Sequence, residues 1–428
     1  MTVLGCGHCG GEKGRGPDLD TLVHDYDAVI VGASFAGLAA ASQLQGAGRV
    51  LLVDREPPGA GQTSACGTLL AVLERLEALD ALEQIHPTIM INAAGRRIAF
   101  RPPYPFATFD YRRLCAILAD RLDDVEIAVA PFRGREPDGT LLLGDRRVRA
   151  PVVVDATGWR GVVVRQFGAA APNRDQHSIG LEARHDHGGR TLEFWVRPAE
   201  RRDGLLWAFP AGDHVWEGVA SYAGAGTGLK ATLARVPHER DLPAKAVHGG
   251  LFPAKLGNPV AGDVFVVGDA AGQCLPLTGE GIRPALVWGQ EAGRWARRAV
   301  DGTVSLDDAL RAYRSAAVAH RAEYAILRRL QAGLLRLPVP LIPPVVRLFA
   351  TGPLASVAQR AYWRVADPDR LEVTPGVHGT ARVAPDQCAA GPAAQERRLR
   401  RHQPTRGAPS HHVSTGPAST RSATTPVS

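Results

Sequence analysis

Cys66 stands against Gly67 in "GQTSACGTLL", just ahead of an apolar helical spacing. A thiol there can be a reactive group, a metal ligand or a small packed hydrophobe, and its surroundings decide which. Further upstream, "VGASFAG" carries Gly32 and Gly37, with Ala33, Ser34 and Ala36 between them. Gly32 lets the chain turn sharply, Gly37 lets a helix pack tightly on a sheet, and the first N–H groups of that helix then face a phosphate. Ser34 stands where a middle glycine is usual and adds a hydroxyl donor. Asp54, followed by Arg55, lies 22 positions after Gly32, near the spacing at which a carboxylate reaches the ribose hydroxyls of an adenosine. Together these residues describe a dinucleotide cradle.

Such a cradle needs a strand, a tight turn, a helix and a second strand in close succession. The chain supplies them as "YDAVIV", "GASFAG", "LAAASQLQGAG" and "RVLLVDRE". Helical apolar spacing recurs over 68–82 and 110–122, while "EIAVA", "TLLLGDRRVRA" and "PVVVDATG" read as strands, the middle one a hairpin through Gly144 and Asp145. From Ser178 to about Val260, "SIGLEARH", "TLEFWV", "LLWAFP" and "WEGVASY" alternate with Gly, Pro and Asp turns, which predicts a mostly antiparallel sheet. A buried strand returns in "DVFVVGDAAG", and helices are expected over 282–300 and 306–335.

The passages "GASFAG", "DATG" and "VFVVGDAAGQCLPLTGEGIRPAL" resemble the FAD-binding framework of the class that includes aromatic-ring hydroxylases and geranylgeranyl reductases. The resemblance implies that Asp269 holds the ribityl chain, whose hydroxyls provide the donors a carboxylate needs after a buried strand. Gly279, Gly281 and the helix start at Ile282 bring N–H groups together, which suits negative charge near N1 and O2 of a reduced flavin. Arg112, in "TFDYRRLCAIL", matches the arginine this class sets near the cofactor, with Arg113 one position away. The "CG" of Cys66–Gly67 resembles the Cys-Gly of geranylgeranyl reductases, whose thiol lies near the flavin ring. "GLLWAFPAGDHVWEGVA" is similar to that family's substrate-domain signature, with Trp207, Phe209 and Pro210 in register and Leu205 where an aromatic is usual. Cys274, in "GQCLPL", is a second thiol that could approach the flavin.

The bulk composition narrows the classes. At 428 residues and 45% hydrophobic content, the chain can bury a substantial core. Its six cysteines are scattered behind a start without signal-peptide features, so reduced thiols and a cytoplasmic setting are expected. Cys6 and Cys9, with His8 between them, have the spacing of half a zinc site, but no matching half follows, so no metal is expected. The net charge is +7, yet residues 374–428 hold seven arginines against Asp386 and Glu396. The remainder is nearly balanced, and nucleic-acid binding is not expected. No uncharged apolar run reaches the ~18 residues of a spanning helix. "LPVPLIPPVV", among arginines 328, 329, 336 and 347, could pack on the body of the protein or lie peripherally on a membrane.

The expected fold is therefore α/β: a Rossmann-type FAD-binding domain with an inserted, mostly antiparallel β-sheet substrate domain and C-terminal helices. The expected divisions are a flexible leader over 1–24, FAD-binding parts over 25–170 and 261–302, a β-rich substrate domain over 171–260, a helical region over 303–372 and a disordered basic tail over 373–428. The expected activity is FAD-dependent reduction of C=C bonds in a hydrophobic, isoprenoid-like substrate, with Cys66 or a water supplying the proton. No second Gly-rich cradle is apparent, so NAD(P)H or a small redox protein is the expected transient electron donor. A flavin-dependent monooxygenase is the alternative, and a non-catalytic flavin-binding protein the third reading. Oligomeric state is not legible.

Overall fold

Five parallel strands line up in the order Val264–Val266, Val152–Asp155, Ala28–Val31, Val50–Asp54 and Val125–Val129, with the short antiparallel pair partner Val260–Ala261 at one edge. The near-continuous apolar content of the first four follows from burial on both faces, whereas Val125–Val129 at the far edge is largely exposed. The computed structural model describes residues 23–62, 65–168, 177–223, 226–234, 246–352 and 355–373. All of them belong to one compact unit, Met1–Val377. The Cys6–Cys9 motif and the basic tail lie outside the described residues.

On one face of this sheet, helix Phe35–Leu44 packs against helix Ile282–Val300. Small residues set the approach: a Cβ at Gly289 would stand 2.4 Å from the Ala36 carbonyl oxygen, and one at Gly293 2.5 Å from that of Ala40. The helix expected over 306–335 is broken after Val318, giving Leu306–Val318 and Arg321–Arg336. Of the helix expected over 68–82, only Leu70–Arg75 and a 3-10 turn at Leu79–Ala81 form. Gly67–Leu69 and Leu82–His86 instead pair with strand Phe106–Phe109, because that partner satisfies their backbone groups, which periodicity alone does not foresee.

The second large sheet has seven strands in the order Ala246–Pro253, His177–His185, His214–Ser221, Gly204–Ala211, Leu192–Val196, Ile89–Ala93 and Arg96–Phe100. It is antiparallel apart from one parallel junction between Leu192–Val196 and Ile89–Ala93. The hairpin Ile89–Phe100, which lies within the range 25–170 expected for the first FAD-binding part, completes this sheet instead. Helices Arg321–Arg336, Ile342–Ala350 and Ala355–Arg364 follow.

Candidate active site

A cavity of about 1360 Å³ runs from the carboxyl ends of the parallel strands, past the seven-stranded sheet, to the C-terminal helices. Ligands of open α/β sheets bind at that strand end. The cradle at the cavity's first end is made by backbone. Gly32 has φ +109°, and a Cβ there would stand 2.3 Å from the Ala156 carbonyl oxygen. A Cβ at Gly37 would come within 1.8 Å of the Gly32 oxygen. Both glycines are thus fixed by close backbone approach, and Gly37 itself stays behind the wall while Gly32, Ala33, Ser34 and Ala36 form it. The Ala33 N–H donates to the Asp54 carboxylate at 2.7 Å, which holds the turn beside Asp54 and Arg55. The Ser34 hydroxyl lies 3.0 Å from the Tyr111 hydroxyl. Asp155, of "DATG", accepts from the Thr157 N–H and hydroxyl and from the Val164 N–H, at 2.6–2.9 Å, and so fixes the loop under Gly32.

In the loop that leads into helix Ile282–Val300, Asp269 lines the cavity, and burial pushes its carboxyl up to about 6. A sugar-alcohol's hydroxyls would stabilise the ionised form there. Gly281 and Ile282 line the wall where a helix begins, and first-turn N–H groups have no intrahelical partner. Gly279 plays another part than expected. Its N–H donates to the Leu275 carbonyl at 3.0 Å, so the residue contributes its φ of +68° and its closeness to Phe252 rather than a donor. Leu277 is held at φ +73° by two bonds: its N–H donates to Gln331 at 2.7 Å and its carbonyl accepts from the Tyr222 hydroxyl.

Sequence reading missed the clamp on this loop. Arg283 is fully buried and donates to both oxygens of Glu280, at 2.6 and 2.9 Å. It also reaches the Trp363 and Ala366 carbonyls, with its guanidinium 4.9 Å from the Trp363 ring centroid. Tyr362 bonds both Thr278 and Glu280. The local signal was the i,i+3 pair in "GEGIR"; the aromatic partners lie some 80 residues away in sequence.

Along the seven-stranded sheet the wall is built by side chains. Trp207 lies opposite Gly218, where a Cβ would meet the indole at 2.0 Å, so the missing side chain makes room for the ring. Phe209 packs edge-on against Phe106 and Phe194 at centroid distances of 5.8 and 5.4 Å. Both Phe106 and Phe209 close on Gly67, where a Cβ would stand 2.4 and 2.7 Å from their rings. This gives the glycine of the "CG" pair a packing reason. Leu205 lines the same wall.

Two expected site residues sit elsewhere. Cys66 is buried behind the wall formed by Ala65 and Gly67, with the Gln62 amide donating to its Sγ at 3.0 Å. Burial, and then the carboxylates of Glu182, Glu83 and Asp110, push its thiol well up. Arg112 is exposed and outside the cavity wall; Asp110 caps helix Tyr111–Ala119 and turns Tyr111, Leu114 and Cys115 inward. Cys274 is on the wall beside Asp269. Among the described residues no group of three His, Cys, Asp or Glu side chains gathers as a metal site.

The FAD binding domain family matches residues 27–97, which span the cradle. Cradle, sheets and helices together define an FAD-dependent oxidoreductase. More particularly, the chain is similar to geranylgeranyl reductases. It is 26% identical over 306 residues to digeranylgeranylglycerophospholipid reductase 2 of Methanothermobacter thermautotrophicus, covering 64% of this chain and 79% of that protein. A geranylgeranyl bacteriochlorophyll reductase-like protein of Thermoplasma acidophilum has the same fold, with a TM-score of 0.70 at 17% identity over 81% of this chain and 98% of that one. A flavin-dependent brominase shares it more distantly, with a TM-score of 0.56 at 16% identity over 79% of this chain and 98% of its own.

Proposed function

We propose that the chain reduces C=C bonds of a hydrophobic, isoprenoid-like substrate, using electrons from transiently docked NAD(P)H or a small redox protein. The observation that carries this reading is the continuity of the cavity: the wall at Asp269 and Gly281 passes directly into the apolar wall at Trp207, Phe209 and Leu205. When bound, FAD supplies a hydride from its reduced ring. The chain's own residues do the rest. Gly32, Ser34 and Asp54 hold the dinucleotide, Asp269 holds the ribityl chain, and the Glu280–Arg283–Tyr362 clamp keeps the loop in place. Trp207, Phe106 and Phe209 exclude water and align an extended apolar chain. The similarity to a lipid reductase supports the same substrate class.

The cavity continues along helices Arg321–Arg336, Ile342–Ala350 and Ala355–Arg364. These expose Ile326, Leu330, Val345, Leu348 and Val357, interspersed with exposed Arg328, Arg329, Arg347 and Arg360. No single helix among the described residues is long and apolar enough to cross a membrane. An apolar face among arginines suits peripheral contact with an anionic lipid surface, from which a greasy substrate can enter.

The test is anaerobic. Protein loaded with FAD and reduced with dithionite is mixed with geranylgeraniol, and flavin absorbance is followed. Reoxidation without oxygen, with a product two mass units heavier per reduced bond, supports the reductase. Reoxidation that requires oxygen, with an oxygen atom gained by the product, supports a monooxygenase instead.

A further inference from the structure

Reducing an alkene with hydride requires one proton as well, and few groups facing the apolar part of the cavity can carry one. On the seven-stranded sheet the ionisable wall residue is Glu182, and Tyr222 lines the wall just past the end of strand His214–Ser221. The Tyr222 hydroxyl is engaged by the Leu277 carbonyl, and burial pushes its phenol up. Cys66 is behind the wall and holds its proton tightly. Glu182 differs from both. Its side chain is only 2% exposed, one carboxylate oxygen accepts from the Trp207 indole at 3.1 Å, and the other lies 2.6 Å from Nε2 of His248. Glu182 and His248 are direct cross-strand partners. His248 is not part of the cavity wall and keeps 18% of its side chain exposed. The pair therefore runs from the cavity wall to a part-exposed imidazole on the edge strand Ala246–Pro253.

We propose that Glu182 and His248 form the proton relay of the reaction. The proton passes from Nε2 of His248 to the Glu182 carboxylate and on to one alkene carbon, and solvent then recharges His248. The alkene's π pair forms the new C–H bond to this proton, while the hydride's pair forms the C–H bond to the neighbouring carbon. The substrate gains two electrons and the reduced cofactor loses two. Trp207 is the positioning residue, since its N–H fixes the carboxylate. The inference rests on the reductase reading above.

The decisive variants are isosteric. Glu182→Gln retains a carbonyl for the Trp207 N–H and an amide for a neutral His248 ring, so an anchor survives while a proton carrier does not. Expected results are normal FAD content and tryptophan fluorescence, with anaerobic single turnover of geranylgeraniol slowed by ~10²-fold or more; His248→Gln should behave alike. Independently of turnover, proton NMR of the FAD-loaded resting protein should show a far-downfield proton coupled to a His248 ring nitrogen and lost in Glu182→Gln. A normal rate in either variant, or no such proton in the wild type, overturns the relay. A wild type that leaves geranylgeraniol unreduced counts against the reductase reading instead, and the NMR signal still decides whether the pair shares a proton.

Discussion

The two ends of the cavity are built by opposite means. The dinucleotide cradle is backbone: Gly32 and Gly37 admit no side chain because carbonyl oxygens occupy the space. The apolar wall is side chain: Trp207, Phe209 and Phe106 fill space that Gly218 and Gly67 leave open. A backbone site has few sequence solutions, since only glycine satisfies a positive φ together with close approach. A side-chain wall has many, because apolar surfaces tolerate substitution at similar volume. The difference explains why cofactor class is easier to read from this chain than substrate.

The hardest test of that contrast is Gly32→Val. The new side chain would overlap the Ala156 carbonyl at a φ that valine rarely adopts. Purified protein is expected to be essentially free of FAD, read from its absorbance; stoichiometric FAD would break the distinction. Asp269→Ala keeps the backbone and removes one polar partner, so FAD affinity should fall by ~1–3 kcal/mol, measured by flavin fluorescence titration. The wild type should show the matching pH dependence. Ligand-free Asp269 takes up a proton near pH 6, and the cofactor's hydroxyls favour its ionised form, so affinity is full above that pH and declines as pH falls through it.

At the other end, Gly218→Ala pushes on the Trp207 indole. Overpacking of this kind costs ~1–3 kcal/mol of stability. The variant should retain FAD while its KM for geranylgeraniol rises; loss of FAD without a change in KM would mean that the two ends are not separable. The smallest effect is expected at Cys66→Ser. With Sγ behind the wall and accepting from Gln62, the change should lower thermal stability by ~1 kcal/mol or less, because the new hydroxyl keeps a donor nearby. Turnover per folded molecule should stay near wild type. A large loss of single-turnover rate with stability unchanged would return the thiol to the chemistry.

The sequence alone determined the cradle, the order of strand and helix around it, and the antiparallel character of 178–260. Each depends on local spacing: glycines a fixed distance apart, period-two alternation, or a carboxylate at the end of an apolar run. Only tertiary structure decided that Cys66 lies behind the wall, that Arg112 points outward, and that Gly279 gives its N–H to Leu275. It alone joined Ile89–Phe100 to the seven-stranded sheet, set Glu182 against His248, and brought Tyr362 and Trp363 to Arg283. These contacts connect residues up to about 100 positions apart. Hydrophobic burial selects which faces meet, but the identity of the partner across a gap leaves no periodic trace in either segment.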